Sequence, residues 1–144
     1  MKSLIAITTA TLSALLVCAT AVHAKEMWTD KDLKEPAALA ATLADAKAAK
    51  PVIVNIGPVQ QIKGAIGIGP SIDSGNLGKL KKDLAKTARD KEVIIYCGCC
   101  PLRRCPNVQP AFEVLKKMKF TNVKVLNLPT GLNEDWIRKG YPLE

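Results

Sequence analysis

The chain has 144 residues and a formal net charge of +8, and 48% of its residues are hydrophobic. That length holds one domain with little to spare, and the apolar share excludes a wholly disordered chain. No self-similarity recurs at the periods of about 20 to 50 residues that mark solenoids and propellers.

Residues 1–24 read as an export signal. Lys2 supplies the positive start and Leu4 to Val17 the apolar stretch. Val22-His23-Ala24 supplies the small or modest residues that signal peptidase needs before its cut. Cleavage after Ala24 is expected, giving a periplasmic or secreted protein with no membrane attachment once the signal is gone. An uncleaved anchor is the alternative. A lipoprotein is disfavoured because Val17, before Cys18, is too bulky for a lipobox. The cut removes Cys18 and also His23, the single histidine. A chain starting at Lys25 then excludes Ser-His-Asp and Cys-His mechanisms and any histidine-ligated metal. It keeps four cysteines, Cys97, Cys99, Cys100 and Cys105.

Residues 25–50 form an N-terminal extension. Glu26 to Lys34 is polar and reads as loose chain, and Pro36 to Lys50, rich in alanine with Leu39 and Leu43 at helical spacing, as a helix. Residues 51–144 form the main domain. Pro51 to Ile56 is an apolar, β-branched run, so a buried strand, broken by Gly57-Pro58. Ala65 to Ile68 is a second short strand, and Gly69-Pro70 and Ser74-Gly75 mark a loop. Leu77, Leu80, Leu84 and Ala88 make the apolar stripe of a surface helix. Val93 to Tyr96 is a strand. Val108, Ala111, Phe112, Leu115 and Met118 give an amphipathic helix with Asn107 as its N-cap. Val123 to Leu126 is a further strand, and Asn133 to Lys139 a short helix stopped by Gly140. Strands alternate with helices, and the strands are apolar on both faces. The expected fold is a small three-layer α/β domain, a mostly parallel sheet with helices on both faces.

The basic charge is spread along helix faces, as at Lys79, Lys81, Lys82 and Lys86, and reads as solvated surface. With 4% aromatic residues, nucleic-acid binding is not expected. The informative stretch is Tyr96-Cys-Gly-Cys-Cys-Pro-Leu-Arg-Arg-Cys-Pro-Asn107. It follows a strand, at the sheet end where α/β sites form, and leads into a helix N-terminus. Unsatisfied helix N–H groups and the nearby Arg103 and Arg104 both favour a thiolate, so Cys97 is the candidate nucleophile and needs no histidine. Turned loop amides such as that of Gly98 offer an anion-binding concavity. Cys99, Cys100 and Cys105 are candidates for resolving or redox roles. Other uses of the four thiols stay open: two structural disulfides in any of three pairings, a soft-metal site of Cys97, Cys99, Cys100 and Cys105 for Cu(I) or zinc, or thiol–disulfide exchange through the Cys97 to Cys100 spacing.

Several segments together resemble the rhodanese-like domain family. Val52 to Ile56 with Gln61 to Gly69 resembles its opening strand and "GHIPGAINI" segment, and Val93-Ile-Ile-Tyr-Cys97 the strand that delivers its catalytic cysteine. Ala111 to Val123 is similar to its next helix and "GF-x-NV" exit, and Trp136 to Pro142 to its closing "W-x3-GYP". The CGCCP…CPN loop is similar to that of an exported subgroup. It departs from the usual C-x4-R loop in being longer and carrying three more cysteines, and Asn55 and Gly57 stand near where the family has an aspartate and an arginine. The resemblance implies a rhodanese-like domain over 51–144 acting as a sulfurtransferase. Cys97 would carry a persulfide, and Arg103, Arg104 and Gly98 would bind a small anionic sulfur donor. A thiol would accept the sulfur, without a cofactor, in a monomer.

Overall fold

The computed structural model describes residues 27–144. The expected signal peptide, with Cys18 and His23, lies outside the described residues.

The β-branched runs form the strands, and their neighbours in space are all parallel. Five strands, β1 (Leu33–Lys34), β2 (Val52–Asn55), β3 (Ala65–Gly67), β4 (Val93–Tyr96) and β5 (Val123–Leu126), make one sheet in the order β1-β5-β4-β2-β3. The register sets Val54 beside Ile95, and Ile95 beside Val125. Side chains alternate across the sheet. Val54, Ile95 and Val125 point to one face, where Leu80 of α2 (Ser74–Asp83) and Ala111 and Leu115 of α3 (Val108–Lys117) cover them. Ile53, Ile94, Tyr96 and Leu126 point to the other, where they meet Leu39 of α1 (Pro36–Ala44) and Trp136. Both faces are dry, which is why these strands lack the in–out alternation of a one-sided sheet. The fold is the three-layer α/β arrangement expected.

Four local expectations need correction. The segment before Lys34 is not all loose: Leu33 and Lys34 pair with Val125 and Leu126 as an edge strand. Helix α1 stops at Ala44 rather than Lys50, because the Lys50 ammonium donates to the carbonyls of Thr42, Leu43 and Asp45 and closes the helix end. Ser74 and Gly75 start α2 rather than a loop, since the Asp73 carboxylate accepts the Gly75 N–H at 2.7 Å as an N-cap. The last helix is a single wide turn of π type, Asn133–Ile137, anchored by fully buried Trp136. Gly140, at φ +70°, follows it. Among the described residues no helix is long and apolar enough to cross a membrane.

Candidate active site

Parallel pairing of β2 and β4 puts both strands' carboxyl ends side by side. The chain leaves β4 at Tyr96, so Cys97 lies at the centre of that edge, 2% exposed. Its neighbour across the gap is Gly57, just past β2. A Cβ built on Gly57 would stand 2.5 Å from the Cys97 Sγ and 2.9 Å from the Cys97 carbonyl oxygen. Only glycine admits the thiol there. Asn55, 4% exposed, fixes this turn: its Oδ1 accepts the Gly57 N–H at 3.0 Å and its Nδ2 donates to the Val59 carbonyl at 2.8 Å.

Gly98 turns the chain with φ +70°, a conformation glycine adopts without steric cost. Its carbonyl accepts the Leu132 N–H at 3.0 Å, and a Cβ would come within 2.6 Å of the Leu132 Cβ. The turn folds Cys99 back, so that its Sγ lies 3.2 Å from that of Cys97 and 3.6 Å from that of Cys100. A single 3-10 turn, Leu102–Arg104, follows. Buried Leu102 pins it, its N–H bonded to the Leu128 carbonyl at 3.1 Å, and Arg103 and Arg104 are exposed. The turn closes with the Cys105 N–H on the Leu102 carbonyl. The Sγ atoms of Cys97, Cys99 and Cys105 all lie within 4.8 Å of one another. All four cysteines among the described residues are free thiols.

Asn107 does not use its side chain to cap α3, although it stands at the N-cap. Its Nδ2 instead donates to the Cys97 Sγ at 3.3 Å, and its Oδ1 accepts the Ile72 N–H at 3.1 Å. Its carbonyl accepts from the fully buried Ser71 hydroxyl. One buried asparagine thus ties the nucleophile to the loop before α2.

These contacts hold the Cys97 thiol down to about 5. The Cys105 thiol is the strongest contributor; burial opposes it; the Cys99 N–H, the Cys99 thiol and Asn107 add to it. Neutral donors therefore do most of what the sequence assigned to arginine charge. The partners move the other way. Hydrogen bonding to the Cys97 thiolate, then burial, pushes the Cys105 thiol up. Cys99 is exposed as a residue; the partial burial of its thiol, with its contacts to Cys97 and Cys100, raises it to about 12. The cluster is one thiolate, Cys97, receiving hydrogen bonds from protonated neighbours.

Alkylation of Cys97 in the reduced protein is expected to titrate near pH 5 rather than at the ordinary thiol value of about 8.5. Asn107→Ala removes a charge-assisted bond of about 1.5–3 kcal/mol, so the midpoint should climb by about one to two pH units. A midpoint unchanged in the variant would mean that Asn107 only supports the loop.

The geometry brings Cys97, Cys99 and Cys105 together, with Cys100 beside Cys99. It shows Gly98 as a turn and packing residue, and Arg103 and Arg104 on the outer side of the loop. Sequence reasoning missed Gly57 and the Asn107 amide. The signal for the first was a glycine ending the strand that would pair with β4; for the second, a cap residue only ten positions from the nucleophile. Cys97, Cys99 and Cys105 are the residues that could hold a soft metal ion. Scans against models of known protein families and against curated proteins gave no match.

Proposed function

We propose that the protein is an exported rhodanese-like sulfurtransferase that passes sulfane sulfur through a persulfide on Cys97. The observation that carries this reading is a buried cysteine at the carboxyl end of the central strand β4, with the Asn107 amide at 3.3 Å and the Cys99 sulfur at 3.2 Å from its own, contacts that lower its thiol without histidine. Such a thiolate attacks the outer sulfur of thiosulfate. The new bond joins Cys97 Sγ to that sulfur, the old S–S bond breaks, and sulfite leaves with its electron pair. The Cys99 N–H and the Asn107 amide, already bonded to the sulfur, hold the negative charge close to the protein. With Cys97 2% exposed, exposed Cys99 must swing aside to admit even a small anion. The test is mass: reduced protein treated with thiosulfate gains one sulfur, mapped to Cys97. No gain overturns the reading.

Arg103 and Arg104 are assigned to the anionic donor. Replacing both by Ala is expected to raise KM for thiosulfate about tenfold or more, since one charge-assisted contact contributes about 1.5–3 kcal/mol. KM for an uncharged persulfide donor should be unchanged. Equal effects on both donors would reduce the arginines to solvated surface.

One observation favours a second reading. Three Sγ atoms within 4.8 Å of one another are a trigonal thiolate set, which suits Cu(I) better than zinc with its usual four ligands. Metal content of anaerobically reduced protein, before and after a thiol chelator, distinguishes it.

A further inference from the structure

In an extended strand, side chains two residues apart on the same face stand about 6.6 Å from one another. At this site the left-handed turn at Gly98 brings the sulfurs of Cys97 and Cys99 to 3.2 Å. Cys99 in turn lies 3.6 Å from Cys100. Three sulfurs therefore lead from a buried nucleophile to the surface, with Cys99 the exposed residue of the three. Sulfur transfer to an outside acceptor requires only the first of them.

Cys105 differs from Cys99. It closes the 3-10 turn through its own N–H, packs partly buried against the α2–α3 core, and has its Sγ within 4.8 Å of that of Cys97, whose thiol it helps to lower. That is the setting of a residue that positions the thiolate. Cys99 sits at the loop tip, touches the nucleophile and faces water.

We propose that Cys99 is the resolving thiol of this site, so that the Cys97 persulfide is reduced in place to hydrosulfide, leaving a Cys97–Cys99 disulfide. This rests on the sulfurtransferase reading and adds a reductase activity to it. The step balances without an outside oxidant. The persulfide anion takes the proton of the Cys99 thiol. The Cys99 sulfur then attacks Cys97 Sγ, the bond between Sγ and the outer sulfur breaks, and hydrosulfide leaves. The outer sulfur is reduced and the two cysteines are oxidised. To bond, the Cys99 sulfur closes by about 1 Å. An external dithiol then attacks the exposed Cys99 sulfur and becomes a disulfide, while Cys97 departs as the better leaving thiolate. The net reaction consumes thiosulfate and a dithiol and yields sulfite, hydrosulfide and a disulfide.

The experiment is a single turnover of the fully reduced chain with thiosulfate, anaerobically and with no added thiol. Intact mass, peptide mapping and released hydrosulfide are the readouts. The wild type is expected to release one equivalent of hydrosulfide and to end two hydrogens lighter, bridged between Cys97 and Cys99. Cys99→Ser and Cys99→Ala should stop one sulfur heavier at Cys97, with hydrosulfide released at least about a hundredfold more slowly, because the intramolecular thiol is gone. Cys100→Ser should still release it, and Cys105→Ser should release it more slowly without stopping at the persulfide. Accumulation of the persulfide in Cys105→Ser and not in Cys99→Ser overturns the assignment. A wild type that stays one sulfur heavier and releases nothing overturns the reductase step and leaves sulfur transfer standing. A wild type that neither gains sulfur nor releases hydrosulfide overturns both.

Discussion

Cys97→Ser is expected to abolish sulfur uptake from thiosulfate, to the background of the free chain, while the fold stands. Covalent transfer needs one attacking atom, and a serine hydroxyl in the same place is no nucleophile without a base. The substitution is small, and the serine oxygen can still accept the Asn107 amide now at 3.3 Å from the sulfur. Cys99→Ser, Cys100→Ser and Cys105→Ser should each keep the first transfer. Cys105→Ser should be the slowest of the three at low pH, since the Cys105 thiol contributes most to holding Cys97 low. A metal site behaves differently, because the loss of any one ligand degrades binding. Equal loss in Cys97→Ser, Cys99→Ser and Cys105→Ser, with stoichiometric copper in the wild type, would replace the enzyme with a metal module. Stability adds an independent check. With Cys97 lowered to about 5 in the fold and ordinary when unfolded, the unfolded chain holds the extra proton between those values. The contribution is therefore full above the ordinary thiol range and is lost as pH falls toward 5. The urea midpoint of the reduced wild type should rise from pH 5 to pH 8 relative to Cys97→Ser. A parallel course for the two would deny the thiolate.

Much of this fold is written in local sequence, and the exceptions have physical causes. Strands β2 and β4 are legible because β-branched residues buried on both faces leave apolar runs, and β5 because Val123, Val125 and Leu126 keep that signature around Lys124. Strand β1 is not, since two residues in a polar stretch become a strand only through pairing with Val125 and Leu126. The alanines of α1 favour helix well past Ala44, and a lysine from outside the helix decides its end. At the site, Cys97 is legible because a strand end in a parallel sheet is a place and not only a residue. Its chemistry is less so. The charge of Arg103 and Arg104 is plain in the sequence, while the stronger influences are the thiol of Cys105 and then the N–H and thiol of Cys99, with an amide that looked like a helix cap adding to them. Those depend on how the loop folds back, which Gly98, Leu102 and Leu132 decide by packing.

Gly57→Ala is expected to cut the rate of sulfur uptake by about a hundredfold, although Gly57 carries no functional group. The added carbon would meet the Cys97 Sγ at 2.5 Å, its carbonyl oxygen at 2.9 Å and its Cα at 3.1 Å. Two of those three are backbone atoms, so rotation of the thiol cannot relieve the overlap. The end of β2 cannot retreat freely either. The Ile56 N–H is bonded to the Tyr96 carbonyl at 2.9 Å, and the Gly57 N–H to Asn55. The strain must move Cys97 relative to Asn107 and Cys99, and a displacement of about 1 Å at a reacting atom costs on the order of a hundredfold in rate. Overpacking of this kind also destabilises by about 1–3 kcal/mol. Gly64→Ala supplies the control. Gly64 sits at φ +77° with nothing within 4 Å of an added Cβ, so alanine there strains the backbone without touching the site. It should lose stability, by about 1 kcal/mol, and keep the wild-type rate of uptake. Measuring single-turnover sulfur uptake beside urea unfolding for both variants separates position from stability. Full uptake in Gly57→Ala would show that the close approach of β2 does not set where the nucleophile stands.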